Sequence, residues 1–280
     1  MKEIHCQTIT EEISKLCISS NCYISEDIQM AFVQAKKEEK DSLSQDVLDK
    51  LLKNAEIAKE HIIPICQDTG MTVVFIEIGQ DVRIIGGDLN QAINHGVAKG
   101  YEEGYLRKSV VNDPIKRVNT GDNTPAVIHY SIVTGDHLKI TVSPKGFGSE
   151  NMSALKMFKP SHGLDGVKNF VIETVKTAGP NPCPPIIVGV GVGGTMEKAA
   201  IMAKQGLLRT VGTKNEDPFW QQIEEELLES INQLQIGPAG LGGRTTALTV
   251  HITPYATHIA GLPVAVNIGC HVTRHAQIVL

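Results

Sequence analysis

The chain changes character at Pro64-Ile65-Cys66-Gln67-Asp68-Thr69-Gly70, just ahead of the apolar run Thr72-Val73-Val74-Phe75-Ile76. Before this stretch the periodicity is helical. Ser25-Glu26-Asp27 reads as a helix cap with an acidic first turn, and Ile28, Ala31, Phe32 and Ala35 follow at one-face spacing. Val47, Leu48, Leu51, Leu52, Ala55 and Ala58 share a face of a second helix, which Pro64 stops. After Gly70 strands begin: Thr72 to Ile76, then Val82 to Ile85. Asp88 caps a helix through Ile93 and Val97 that ends near Gly104. Ala126 to Val133 and His137 to Val142 read as a hairpin around Thr134-Gly135-Asp136. Further on come a helix from about Leu164 to Lys176, a buried strand at Pro185 to Val190 and a helix at Met196 to Lys204. A longer amphipathic helix covers Trp220 to Leu234, and strands follow at Thr246 to Ile252 and Pro263 to Ile268. Helices followed by unevenly spaced strands predict an α+β fold in one domain over 1–280. Its helical N-terminal part covers 1–60, and a mixed α/β part with a mostly antiparallel or mixed sheet covers 61–280.

Composition narrows the function. The 280 residues carry a net charge of −5, which leaves no electrostatic footprint for nucleic acid. Aromatics at 4% are too few for a base-stacking platform. No apolar run approaches the roughly 20 residues of a membrane helix. The N-terminal MKEIHCQTITEEI has no apolar core of a secretory signal, so the expectation is a cytoplasmic, core-bearing protein.

Six cysteines (Cys6, Cys17, Cys22, Cys66, Cys183 and Cys270) are spread along the chain, which favours buried thiols, metal ligands or catalytic thiols over disulfides. Cys6, Cys17 and Cys22 fall in or between helices, as small apolar core side chains do. Cys66 lies between a helix end and a strand start. Cys183 sits in Gly179-Pro180-Asn181-Pro182-Cys183-Pro184-Pro185, and Cys270 follows Asn267-Ile268-Gly269. These stiff loops and element ends are where proteins mount sites. Their spacing matches no local zinc-ribbon or ferredoxin run. Three thiolates on one [4Fe–4S] cube would leave one iron open, which favours dehydration over electron transfer.

The run Ile186-Ile187-Val188-Gly189-Val190-Gly191-Val192-Gly193-Gly194 fits a dinucleotide loop, but the acidic residue expected about 20 residues on is missing. The alternative is a tight turn with close backbone approach, to a cluster or a carboxylate. Lys145 to Asn151 and Gly237 to Thr246 are loop signals, either ordinary turns or loops that present backbone N–H groups to an anion. Arg107, Lys108, Arg117, Lys145 and Arg244 are candidate cations for a dicarboxylate. Cys270-His271-x3-His275 offers a zinc alternative that lacks a second nearby cysteine. Serine-hydrolase, P-loop and zincin motifs do not occur.

Together, Cys66-Gln67-Asp68-Thr69-Gly70, Asn119-Thr120-Gly121-Asp122-Asn123-Thr124-Pro125, Lys145 to Asn151, Gly189 to Lys198, Gly237 to Thr246 and Cys270-His271-Val272-Thr273-Arg274-His275-Ala276 resemble the α subunit of two-subunit class I fumarate hydratases and L-tartrate dehydratases. The resemblance implies a [4Fe–4S] cluster on Cys66, Cys183 and Cys270 with one iron open to substrate. It implies that Gln67, Asp68 and Arg107 contact the substrate, and that Gly146, Gly148 and His258 line its pocket. From its own residue type and place, Asp68 is the local candidate for proton transfer, with orienting a neighbour or capping the loop as the alternative role. It further implies a separate β subunit that completes the site, and pairing of α subunits within a heterotetramer. The expected reaction is hydration of fumarate to L-malate; the alternatives are L-tartrate dehydration or a non-catalytic cluster- or metal-binding module.

Overall fold

The computed structural model describes residues 1–280. Strand β1 (Lys2–His5) opens the chain, followed by helices α1 (Cys6–Cys22), α2 (Glu26–Glu38) and α3 (Ser42–His61). Then come β2 (Met71–Gly79), β3 (Val82–Ile85), α4 (Leu89–Glu103), β4 (Val127–Val133), β5 (Leu138–Lys145) and the short α5 (Phe147–Glu150). The remainder is β6 (Ala154–Phe158), α6 (Gly163–Ala178), β7 (Ile186–Gly193), α7 (Met196–Gly206), α8 (Pro218–Asn232), β8 (Ala247–Tyr255), β9 (Leu262–Gly269) and β10 (Ala276–Val279). The α+β class read from the sequence is the class adopted. The chain gathers into two compact units: unit 1 holds Met1–Ile24, Asn54–Phe147 and Arg274–Leu280, and unit 2 holds Ser25–Lys53 and Gly148–Thr273. The helical stretch 1–60 is thereby divided between them.

Unit 1 is built on the sheet β10-β5-β2-β4, with β1 and β3 paired separately in parallel. Apolar residues of α1 (Ile9, Ile13, Leu16) and α4 (Ile93, Val97, Tyr101) bury the sheet residues Val74, Ile76, Ile140 and Val142. Asp88 caps α4 as its position implies, accepting a hydrogen bond from Gln91 N at 2.8 Å. Ser25, by contrast, makes no side-chain cap bond at α2.

The hairpin expected between β4 and β5 does not form. Both strands pair with β2, β4 in parallel and β5 antiparallel, so Val74 faces Ile128 on one side and Val142 on the other. Their connection passes over the end of β2, where Gly79 N donates to His137 O, Gln80 N to Val133 O and Asp81 N to Gly135 O. A turn signal specifies where the chain reverses, not which strand it pairs with. A strand as continuously apolar as Val73–Ile76 takes the central place, where both of its edges are hydrogen-bonded.

Unit 2 repeats this plan with the order β6-β9-β7-β8: β6 and β9 antiparallel, β9 and β7 antiparallel, β7 and β8 parallel. Residues of α6 and α8, among them Val171, Val175, Ile223 and Leu227, bury one face of this sheet. On the other, α7 lies against β7. A Cβ on Gly189 would stand 2.0 Å from Ala203 O, and one on Gly191 would stand 2.1 Å from Ala199 O. The glycine run is therefore the seat of a helix. The close backbone approach is real, but the approaching group is α7 and not a nucleotide, cluster or carboxylate. The edge strands β6 and β10 were not foreseen, because each is short and half-exposed.

Candidate active site

In unit 1 the candidate residues gather where β2 begins. Because β5 is antiparallel to β2, with Met71 facing Lys145, the end of β5 lies beside the start of β2. Asp68 Oδ1 accepts from Gly70 N at 3.1 Å, and Asp68 Oδ2 accepts from Phe147 N at 3.0 Å. Gly146 lies against the same carboxylate: a Cβ there would be 3.0 Å from Asp68 Oδ2. Asp68 N donates to Cys66 Sγ at 3.4 Å, and Cys66 Sγ lies 3.6 Å from Gln67 Oε1. Cys66, Gln67, Asp68 and Gly146 thus form one turn-to-turn constellation.

Three side chains hold this loop by its carbonyls. Arg274, 4% exposed, donates from Nη2 to Asp68 O at 2.5 Å. The Tyr101 hydroxyl donates to Thr69 O at 2.7 Å and to Gly70 O at 3.0 Å. Burial raises the Tyr101 phenol well above its usual range, so it stays a donor. Asn123 Nδ2 donates to Gly70 O at 3.1 Å. Thr69 Oγ1 in turn donates to Arg107 O at 3.0 Å, which ties the exposed Arg107 to the loop. Of the other cations, Lys145 is 6% exposed, with Nζ 3.4 Å from Gly146 O. Tyr101, Asn123 and Arg274 were assigned no role from the sequence. The signal for Asn123 and Arg274 was their place in the quoted motifs; Tyr101 gave none.

In unit 2 the same end of the sheet carries Cys183 and Cys270. Ile187 faces Gly269, so the start of β7 and the end of β9 lie side by side. Cys183, exposed and at φ +55°, donates from N to Pro180 O at 3.0 Å. Its carbonyl accepts from His271 N at 3.2 Å, and His271 Nδ1 lies 3.0 Å from the same oxygen, which selects the Nδ1–H tautomer. The Gly237–Thr246 loop packs here as well, with Ala239 N donating to Pro184 O at 2.8 Å. Its Arg244 is engaged with Glu229 at 2.9 Å. Gly148 faces the Cys183 loop, since a Cβ there would lie 3.7 Å from Asn181 O. His258 does not join Cys183 and Cys270. It lies in the β8–β9 connection, at the opposite end of that sheet, where its Nδ1 accepts from Ala260 N at 3.2 Å.

The model of the family described as fumarate hydratase (Fumerase) matches residues 10–279 of this chain. The chain belongs to the fumarate hydratase family. A Methanocaldococcus jannaschii protein provisionally named L(+)-tartrate dehydratase subunit alpha is 42% identical over 279 residues, covering 96% of each chain. The L(+)-tartrate dehydratase subunits alpha of two Escherichia coli strains are similar at lower identity. That of strain UTI89 is 31% identical over 274 residues, covering 96% of this chain and 90% of that protein. That of strain K12 is 30% identical over 276 residues, covering 97% and 90%. Both kinds of name denote hydro-lyases.

For a fumarate hydratase family chain, the division of its cysteines is informative. Cys6, Cys17 and Cys22 are buried, and burial pushes the Cys17 thiol up to about 12 and raises Cys22. Cys66 and Cys270 are half-buried and Cys183 is exposed. Within neither unit do three His, Cys, Asp or Glu side chains stand together as a metal-holding group. No helix is long and apolar enough to cross a membrane.

Proposed function

We propose that this chain is the α-type subunit of a hydro-lyase that interconverts fumarate and L-malate, with Cys66, Cys183 and Cys270 holding a [4Fe–4S] cluster. The observation that carries this reading is the split among the thiols. The three with solvent access stand in loops where a central strand begins or its antiparallel neighbour ends, while the other three are buried in helix α1. Soft thiolate donors suit an iron–sulfur cluster. The left-handed backbone at Cys183 costs of order 1–3 kcal/mol, a strain of the kind that persists at functional sites. A cluster with three protein thiolates leaves one iron without a protein ligand and supplies Lewis acidity toward a hydroxyl leaving group.

The protein's own groups do the rest. Arg107 offers a planar fork to a carboxylate, and the amide of Gln67 offers a second donor. Asp68 is kept in one orientation by the two N–H groups on its oxygens, and serves proton transfer at the substrate hydroxyl. Gly146 and Gly148 present backbone without side-chain obstruction. The residue that takes the proton from carbon comes from a β subunit, and α chains pair within the assembled heterotetramer. His258, at the other end of its sheet from Cys183 and Cys270, is retained in this reading as a pocket-lining residue.

A second reading, L-tartrate as substrate, is favoured by the names of the relatives. The deciding experiment is anaerobic purification of the chain with its partner, followed by iron analysis and competition between malate and L-tartrate. About four irons per α chain and a visible spectrum perturbed by malate are expected. A colourless protein with one zinc overturns the cluster; preference for tartrate moves the substrate but keeps the chemistry.

A further inference from the structure

The segment that carries Arg107 has no regular structure, so an exposed guanidinium on it is only as well placed as the ties that hold its backbone. The Asn119–Pro125 motif supplies those ties. Asn119 Nδ2 donates to Lys108 O at 2.9 Å, and Thr120 N donates to Val110 O at 3.0 Å. Asn123 is fully buried at φ +64° and faces both ways. Its Oδ1 accepts from Ser109 N at 2.7 Å and Val110 N at 3.2 Å, while its Nδ2 donates to Gly70 O at 3.1 Å.

We propose that Asn123 is a positioning residue for substrate binding: its amide joins the Ser109–Val110 backbone to the Gly70 carbonyl and so sets Arg107 against the loop that carries Gln67 and Asp68. The Asn123 carboxamide meets both requirements, accepting on one side and donating on the other. Aspartate accepts the two N–H groups but has no donor for Gly70 O, leucine does neither, and glutamine is a methylene too long. The Thr69–Arg107 hydrogen bond closes the second side of the link. This inference rests on the reading of Arg107 as a carboxylate ligand.

The test is a double-mutant cycle in the assembled α/β enzyme, with succinate as an unreactive dicarboxylate and its inhibition constant as readout. Asn123→Gly is the variant of choice, because glycine accepts φ +64° and only the amide is lost. Asn123→Asp, which keeps both acceptor bonds, replaces it if the glycine variant does not fold. Asn123→Gly is expected to weaken succinate binding about tenfold, within the range for coupled neighbours. It is expected to raise KM more than it lowers kcat and to leave iron content unchanged. In an Arg107→Ala background the same change is expected to add less than about twofold. An unchanged inhibition constant, or an equal loss in both backgrounds, overturns the positioning role. If Arg107→Ala by itself leaves succinate binding intact, it is the carboxylate reading of Arg107 that falls.

Discussion

In unit 1 the loop entering the central strand β2 carries Cys66, Gln67 and Asp68 and is gripped through its carbonyls by Arg274, Tyr101 and Asn123. In unit 2 the loop entering the central strand β7 carries Cys183 between prolines and is gripped by its own backbone and by His271. The scaffolds correspond closely. Each sheet has one parallel edge, two antiparallel pairings and a helical crossover between the central strand and its parallel neighbour, one helix in unit 1 and two in unit 2. Even the contact that closes each end corresponds: the second residue past β5, Phe147, donates to Asp68, and the second residue past β9, His271, donates to Cys183. The furnishing differs, with a carboxylate, an amide and one thiol in unit 1 and two thiols in unit 2. In purely parallel sheets sites form at strand carboxyl ends. Here an antiparallel neighbour brings its carboxyl end beside the amino end of the central strand, and both units carry their candidate residues at that end.

The largest effect expected from this comparison concerns the thiols. Cys270→Ser and Cys66→Ser, one in each unit, should both lower activity by about a hundredfold or more and lower bound iron, measured anaerobically. Cys17→Ser should act on stability alone, seen as a lower melting temperature with iron retained. If Cys66→Ser keeps full iron while Cys270→Ser loses it, only unit 2 binds the metal.

The glycines come next. Gly191→Ala should cost roughly 3 kcal/mol in denaturant titration, since the methyl group meets the α7 backbone. Gly146→Ala meets only the Asp68 carboxylate at 3.0 Å, and should cost less than about 1 kcal/mol while reducing turnover. Equal stability losses would remove the distinction between a helix seat and a site turn.

Acid should act through unit 2. His251 is fully buried, and burial, with Arg209 nearby, lowers it to about 4 from an ordinary value of 6.5. The unfolded chain takes this proton first, so stability fully present above pH 6.5 is lost as pH falls toward 4. The loss between pH 6.5 and 5 is about 1.6 kcal/mol, read from denaturant midpoints. His251→Gln should flatten that slope; an unaltered slope would assign it to other groups.

The smallest effect comes from the caps. Asp88 caps α4 in unit 1 and Asp217 caps α8 in unit 2, each through one backbone N–H. Asp88→Ala and Asp217→Ala should each cost about 1 kcal/mol. Calorimetry of the two variants would show whether each cap shifts the same transition.

Local signals carried the helices well. The Asp88 cap, the apolar spacing of α2, α3 and α8 and the apolar strands β2, β7 and β9 all lie within a few residues of where the pattern puts them. Strand pairing was less accessible, because the Thr134-Gly135-Asp136 turn cannot report that β2 lies between the strands it joins. The motif residues Cys66, Asp68, Cys183 and Cys270 could be singled out because a cysteine or a carboxylate in a stiff loop is conspicuous by composition. The supports of that loop could not. Tyr101 looks like any apolar helical residue, and its hydroxyl acquires meaning only when the fold brings it under Thr69 and Gly70.

Residue type and spacing alone therefore located most of the long helices and the apolar strands and singled out the candidate site residues, since these depend on neighbours a few positions apart. Folding itself settled that β2 and β7 are central, that the glycine run seats α7, and that Asn123 and Arg274 hold the loop of Asp68. Those outcomes rest on hydrogen bonds between groups as much as 206 positions apart along the chain, and their partners are chosen by which surfaces must be buried together.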